Sequence, residues 1–392
     1  MRRIPGDIKR AGLLILCIMA AGAAPEPAWA QDVPRHPANV SVFYPIGTNQ
    51  DPSILTHFRL SLFYGRVGYI KGFDAGAVVS RTDRDLRGVQ LTGVYSQTGH
   101  DLRGAAVAGG INYVGGNVTG VQFAGLVNFD RGDFTGLQSA VLFNFVDRDF
   151  SGVQMTSLFN LNNSDAKYVQ LSGTANLVAG SFKGVQVAGF LNYTNERLGG
   201  VQLGLTNLSA ELHGAQVGVF NIAGEANGAQ IGFVNWTRRI EGAPVGVINL
   251  TEQAAARWST YFSNVALVST GVRTVVHRYC STLALGVGDV EQERDDTVFL
   301  SWYYGYMFPL GEAEKWWITP QFGYVHVMPQ SSEEGKINNL HFDLQALATG
   351  EVRFAKIARL FLGAGVNWQF SEYSTKASVN TDPLIIAGIS IW

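Results

Sequence analysis

A Gly-x-Gln step recurs through the middle of this chain on a nearly fixed beat, and it constrains the fold more than any other feature. The Gln slot falls at Gln90, Ala106, Gln122, Gln138, Gln154, Gln170, Gln186 and Gln202, sixteen residues apart. It then falls at Gln216, Gln230 and Pro244, fourteen apart. Glycine stands two residues before each slot from Gly88 to Gly242, with Tyr168 the exception. An Asn follows six residues after the slot in the long units (Asn112, Asn128, Asn144, Asn160, Asn176, Asn192) and five after it in the short ones (Asn207, Asn221, Asn235, Asn249). A short period held this strictly means one structural unit stacked on copies of itself.

Within a unit such as Gly120 to Phe129, apolar residues alternate with small or amide ones, and Gly and Asp break the run before the next Gly136. That is strand chemistry. Each unit is either one antiparallel strand of a large barrel or one coil of a β-solenoid with two short strands and two corners. The shortened units favour the solenoid. Removing one residue inside a continuous strand turns every later side chain to the opposite face, whereas removing it at a corner only tightens the coil. Loop lengths also stay even along the series, unlike the short and long loops of a membrane barrel.

About eleven coils are expected, stacked roughly 4.8 Å apart. Val, Leu, Phe and Ile beside the slots are expected to fill them. The rows Gln122, Gln138, Gln154, Gln170, Gln186, Gln202 and Asn128, Asn144, Asn160, Asn176, Asn192 are expected to form amide ladders that fix register. The rival reading is a flat array that binds a regular ligand such as a glycan. It fits less well with slots that tolerate Ala106 and Pro244. Turn carboxylates such as Asp130, Asp133, Asp147, Asp149 and Asp165 lack the Gly-Gly-x-Gly-x-Asp pattern of calcium-binding coils and read as solvated.

Residues 1–30 carry a basic start (Arg2, Arg3, Lys9, Arg10), an apolar stretch over 11–24 and an Ala28-Trp29-Ala30 end, the layout of a secretory leader. Leu16 precedes Cys17 where a lipoprotein signal needs a small residue, and cleavage leaves Cys280 as the only thiol, with no partner for an intramolecular disulfide. With 15% charged residues, 46 glycines, a net charge of −2 and no basic patch, nucleic acid is not an expected partner. No later apolar run is long enough for a spanning helix.

From residue 258 the beat gives way to long alternating strands. Leu360, Leu362, Ala364, Val366, Trp368 and Phe370 share one face, against Phe361, Gly363, Gly365, Asn367 and Gln369 on the other. An apolar outside, a small or polar inside and rims of Trp and Tyr are what a lipid-embedded barrel requires. Seven strands are expected, over 259–272, 279–288, 298–308, 316–327, 340–352, 360–370 and 384–392, with an eighth from 39–46 or 58–66 to close the sheet. His341 and Asp343 face the inside, where internal hydrogen bonding is the favoured role over a proton or ion path. The chain ends in Trp392, like the aromatic-terminated last strand of bacterial outer-membrane barrels.

The units Gly120 to Asn128, Gly184 to Asn192 and Gly214 to Asn221, with Ser41 to Gln50 and Leu62 to Gly68 before them, give the chain a resemblance to the leptospiral-type cell-surface repeat proteins (GVQ-x-x-GLxN units). The resemblance covers most of the mature sequence and implies an envelope location but no catalytic residues. The expected fold is therefore all-β: leader 1–30, N-terminal strands 31–87 (barrel-closing strand and repeat cap), a solenoid-like repeat region 88–257, and a small antiparallel outer-membrane barrel 258–392. The expected function is a non-enzymatic protein of the bacterial outer membrane, its barrel an anchor and its repeats a scaffold or interaction rod. Outer-membrane lipid is the expected partner, with an envelope glycan or protein a further one, and no cofactor or metal is called for. The alternative is a channel in which repeats and C-terminal strands form one large barrel. A polysaccharide-acting enzyme finds no support in Ser/His/Asp, zinc or carboxylate motifs.

Overall fold

A computed structural model describes residues 33–288, 297–311, 315–328, 341–373 and 376–391. Residues 1–30, where a leader is expected, and Trp392 lie outside these residues. The protein is all-β, a parallel solenoid of about 14 turns followed by a closed eight-stranded antiparallel barrel. It divides into two compact units, one ending at Gly214 and one beginning at Ala215.

In the first unit a long coil consists of a seven-residue strand such as Val118–Ala124, a corner over 125–126, a four-residue strand Val127–Asp130 and a second corner over 131–133. Each strand pairs in parallel with its equivalent sixteen residues on, Gln122 opposite Gln138 and Asn128 opposite Asn144. This pairing rules out the single large barrel, whose neighbouring strands would run antiparallel. The repeat glycines explain themselves locally. Gly136 sits at φ 137, and a Cβ there would run into the carbonyl oxygen of Gly120 in the coil before. Tyr168, the one non-glycine, is held at φ 85.

Two expectations are corrected in this unit. The coils begin at Arg35, not at 88: Arg35–Phe43, Leu55–Val67 and Tyr69–Gly76 stack in parallel beneath the recognisable repeats. Residues 39–46 and 58–66 therefore belong to the solenoid and do not close the barrel. The interior is also the reverse of the one expected. Alternation along a strand puts a Gln and its immediate neighbours on opposite faces, and here Gln122, Gln138, Asn128 and Asn144 are fully buried while Phe123 and Leu126 lie exposed. The apolar filling comes from a different column, four residues before the slot: Leu102, Val118, Phe134, Phe150, Ala166, Phe182 and Leu198.

In the second unit the coils continue with Gln216 opposite Gln230, Asn221 opposite Asn235 and Asn235 opposite Asn249. Here Ala229–Ile240 runs straight through the position of the second corner. Residues are thus lost at corners while the amides stay inside, as the sequence argument required.

The barrel strands are Ala255–Ser263, Val268–Val276, Tyr279–Gly288, Thr297–Tyr306, Trp316–Met328, His341–Arg353, Ala358–Tyr373 and Lys376–Ile391. Each pairs antiparallel with the next, and the first closes on the last through Trp258 to Ser263 against Ile391 to Ile386. The eighth strand comes from splitting the expected strand 259–272 at a turn over 264–267. There Asn264 Nδ2 donates to the Pro383 carbonyl at 2.7 Å and its Oδ1 accepts from the Ile385 N–H at 2.8 Å. The loop expected over 371–383 is mostly strand, with Tyr373 opposite Lys376.

Candidate functional site

The amides inside the coils form continuous hydrogen-bonded rows. Each Asn Nδ2 donates to the Oδ1 of the Asn one coil on, from Asn112 through Asn128, Asn144, Asn160 and Asn176 to Asn192, at 2.8 or 2.9 Å. The same nitrogen donates to a backbone carbonyl, as Asn144 does to Met155 at 2.7 Å. The Gln row runs the other way: Gln154 donates to Gln138, Gln170 to Gln154, Gln186 to Gln170 and Gln202 to Gln186, at 2.7 to 2.9 Å. Both rows are sealed from solvent, so they hold register and offer no array to a glycan. Each such bond contributes about 0.5–1.5 kcal/mol net, while a buried amide group left unpaired costs about 1–3 kcal/mol.

The Gln column starts in charge. Arg59 and Asp74 occupy it, both fully buried, with Arg59 Nε donating to Asp74 Oδ1 at 2.6 Å and Gln90 Nε2 donating to Asp74 Oδ2 at 2.7 Å. A third interior column holds Val114, Asp130 and Val146. Asp130 is thus not a solvated turn residue. It is fully buried, accepts from Gln122 Nε2 at 2.9 Å and Gln138 Nε2 at 2.6 Å, and burial pushes its carboxyl up to about 8.

The barrel interior is filled in layers. Tyr261, Ala284, Phe299, Tyr303, Val325, Leu347, Phe361 and Ile386 pack across it, leaving side chains where a channel would need water. Tyr303 Oη donates to Gln345 Oε1 at 2.6 Å and Asn367 Nδ2 donates to Asp343 Oδ2 at 3.0 Å, so Asp343 serves internal hydrogen bonding. Towards the short turns lies a charged layer that sequence reading missed. Arg273 Nη2 donates to Glu351 Oε1 at 2.6 Å, Thr319 donates to the same oxygen at 3.0 Å, and Arg359 Nη1 stands 3.7 Å from Glu351 Oε2. The Arg359 guanidinium lies 3.9 Å over the ring of Trp317, and Arg257 is buried as well. Their inward parity is visible in the sequence, but their meeting depends on the barrel's register.

The outer wall carries the opposite chemistry. Trp258, Phe262, Val272, Leu285, Phe322, Leu360, Leu362 and Ile385 are exposed. Aromatics gather at both ends of the strands, with Tyr279, Tyr304, Tyr306 and Phe308 in contact near the short turns and Tyr324, Phe342 and Phe370 stacked near the other end. An apolar band between two aromatic girdles is the surface that lipid selects.

These features define an all-β solenoid-and-barrel protein with hydrogen-bonded polar rows and layers in both interiors. Comparison with known protein families, curated proteins and solved structures finds no match.

Proposed function

We propose that this chain is a non-catalytic protein of the bacterial outer membrane, exported by a cleaved leader, anchored by its C-terminal barrel and presenting the coil stack as a scaffold or interaction surface. The observation that carries this reading is the closed eight-stranded barrel with an apolar, aromatic-rimmed exterior and a packed interior. Closure matters because a sheet in hydrocarbon cannot leave edge groups unpaired. The amide rows serve the same reading, since a coil stack whose Gln and Asn rows are buried and bonded to one another is a spacer and not a pocket. The GVQ-x-x-GLxN units place the chain, within this proposal, beside the leptospiral-type cell-surface repeat proteins.

Cell fractionation tests the reading, together with electrophoresis of unheated and boiled samples. The protein is expected in the outer-membrane fraction after a carbonate wash and to change its migration on boiling. Recovery as a soluble monomer without detergent would refute it.

A further inference from the structure

The coils bury their amides beside an apolar column and also show apolar side chains outside, and that outer surface is lopsided. In the first unit every exposed charged residue between Gly88 and Gly214 lies at or just after the second corner: Asp133, Asp147, Arg148, Asp149 and Glu196 among them. The opposite corner, which follows the slot strand, carries none. It presents Val94, Leu126, Val141 and Phe190, of which Leu126 is 46% and Phe190 56% exposed. The column beside it runs unbroken as Leu60, Ala75, Leu91, Val107 and Phe123, each opposite the next. The second unit repeats this, with Phe233 52% exposed at the apolar corner and Glu225, Arg239 and Glu241 at the charged one.

In the second unit this apolar corner has a neighbour. The Gly246 carbonyl accepts from Ser281 Oγ at 2.9 Å and from Trp302 Nε1 at 3.3 Å, and Val247 O accepts from Ser281 Oγ at 3.0 Å. Ser281 and Trp302 point outward from the barrel, on the same face as Leu283 and Leu285. The apolar corner of the last coil is therefore continuous with the barrel's outer apolar wall.

We infer that the apolar corner of the solenoid is itself a membrane-contact surface, immersed among the acyl chains of the bilayer while the charged corner stays in water. The inference rests on the proposed outer-membrane anchor. Its physical basis is that each interior coil spends its backbone N–H and C=O groups on the coils before and after it, so the sides of the stack show hydrocarbon no unpaired polar group. A polar edge opposite a broad apolar face is also the design of an interfacial amphipathic helix, here on the scale of a whole rod.

Depth-dependent quenching tests it on the full mature chain in vesicles of phosphatidylcholine and phosphatidylglycerol containing doxyl-labelled lipid. A fluorophore is attached at Leu126→Cys, Phe190→Cys or Phe233→Cys, with Leu362→Cys on the barrel wall and Asp147→Cys at the charged corner as references. The buried native Cys280 supplies the unlabelled background. Labels at 126, 190 and 233 are expected to be quenched to an extent comparable with the label at 362, as side chains seated ~5–10 Å into the headgroup and acyl boundary, and the label at 147 to lose no emission. Quenching at 362 alone overturns the inference and leaves the anchor standing. Absence of quenching at 362 removes the anchor and the inference with it. Solenoid labels shielded from aqueous iodide but not quenched by lipid, in a particle of dimer mass, would assign the surface to a second copy and overturn the inference.

Discussion

In the coils each strand finds its partner sixteen or fourteen residues away, whereas the barrel's first strand must find its last, with Ser259 Oγ and Ser390 Oγ meeting at 2.7 Å across 131 residues of chain. Both regions bury polar groups beside apolar ones and expose apolar side chains, but their stability is distributed differently. A coil stack is close to a sum of nearest-neighbour terms, so damage to one rung stays near that rung. A barrel gains closure only when all eight strands are present, and loop-closure entropy makes that step slow and cooperative. The tryptophans allow the two to be followed separately. Beyond residue 30 only Trp236 lies in the coils, while Trp258, Trp302, Trp316, Trp317, Trp368 and Trp392 belong to the barrel sequence.

The largest expected effect tests the cooperative side. Glu351→Gln removes the only carboxylate that touches Arg273 and Arg359 among the described residues. It leaves buried guanidiniums facing one another, at a cost of about 3–5 kcal/mol. In detergent, the urea transition seen by tryptophan fluorescence should move to markedly lower urea and heat-modifiable migration should be lost, with the far-UV spectrum of the coils largely kept. Collapse of both regions together would show that the coils depend on the barrel for their fold.

Asn144→Ala tests the additive side. It strips the donor from Asn160 Oδ1 and from the Met155 carbonyl and the acceptor from Asn128 Nδ2, all within one buried row. A loss of about 2–4 kcal/mol is expected in coil stability, with hydrogen exchange accelerated in the coils that flank residue 144 and unchanged in the barrel. Uniform acceleration over all coils would mean that the stack opens as one body.

The sequence made this division legible because period and alternation are backbone properties. The sixteen-residue beat, the residues dropped at corners and the two-face pattern of 360–370 all survive without side-chain detail. What stayed hidden depends on partners distant in sequence or on a choice between faces. The first coils escaped because Arg59 and Asp74 stand in the Gln column, an ion pair doing what amides do elsewhere. The turn over 264–267 was masked by Val265, Ala266 and Leu267, which read as strand and are turned by Asn264 holding the last strand. The apolar residues beside the slots read as core, although slot parity opposes every Gln to its apolar neighbours. Asp130 shares the inward parity of Asn128 and the column of Val114 and Val146, a signal hidden by its place beside the turn that holds the solvent-facing Asp133.

Asp130 gives the comparison a pH axis. Its carboxyl titrates near its ordinary 3.8 when unfolded and about 8 when buried, so between those values the folded state holds a proton that the unfolded state has released. The stabilisation is complete at low pH and is lost as pH rises towards 8, at up to about 1.4 kcal/mol per pH unit. Coil stability should therefore fall from pH 5 to pH 8, and Asp130→Asn, which cannot ionise, should flatten that slope. A parent chain with pH-independent coils would show that Asp130 is not sealed from water.

The smallest effect is the most local one. Tyr168 holds φ 85 at a slot where Gly152 and Gly184 on either side sit at 155 and 141. An L side chain in that region carries roughly 1–2 kcal/mol of steric cost. Its ring is 61% exposed, so little packing offsets this. Tyr168→Gly relieves the clash but gives the unfolded chain back about 0.5–1 kcal/mol of entropy, which leaves a net gain of about 0.5–1 kcal/mol. The reverse change, Gly152→Ala, should cost more than that gain, because its Cβ would run into the Gly136 carbonyl and the backbone has no room to move without shifting the coil below. Chemical denaturation of the two variants side by side should give shifts of opposite sign. If both shifts are negative, the ring of Tyr168 is making contacts worth more than its strain, and the repeat tolerates side chains at this slot only where the outer surface can hold them.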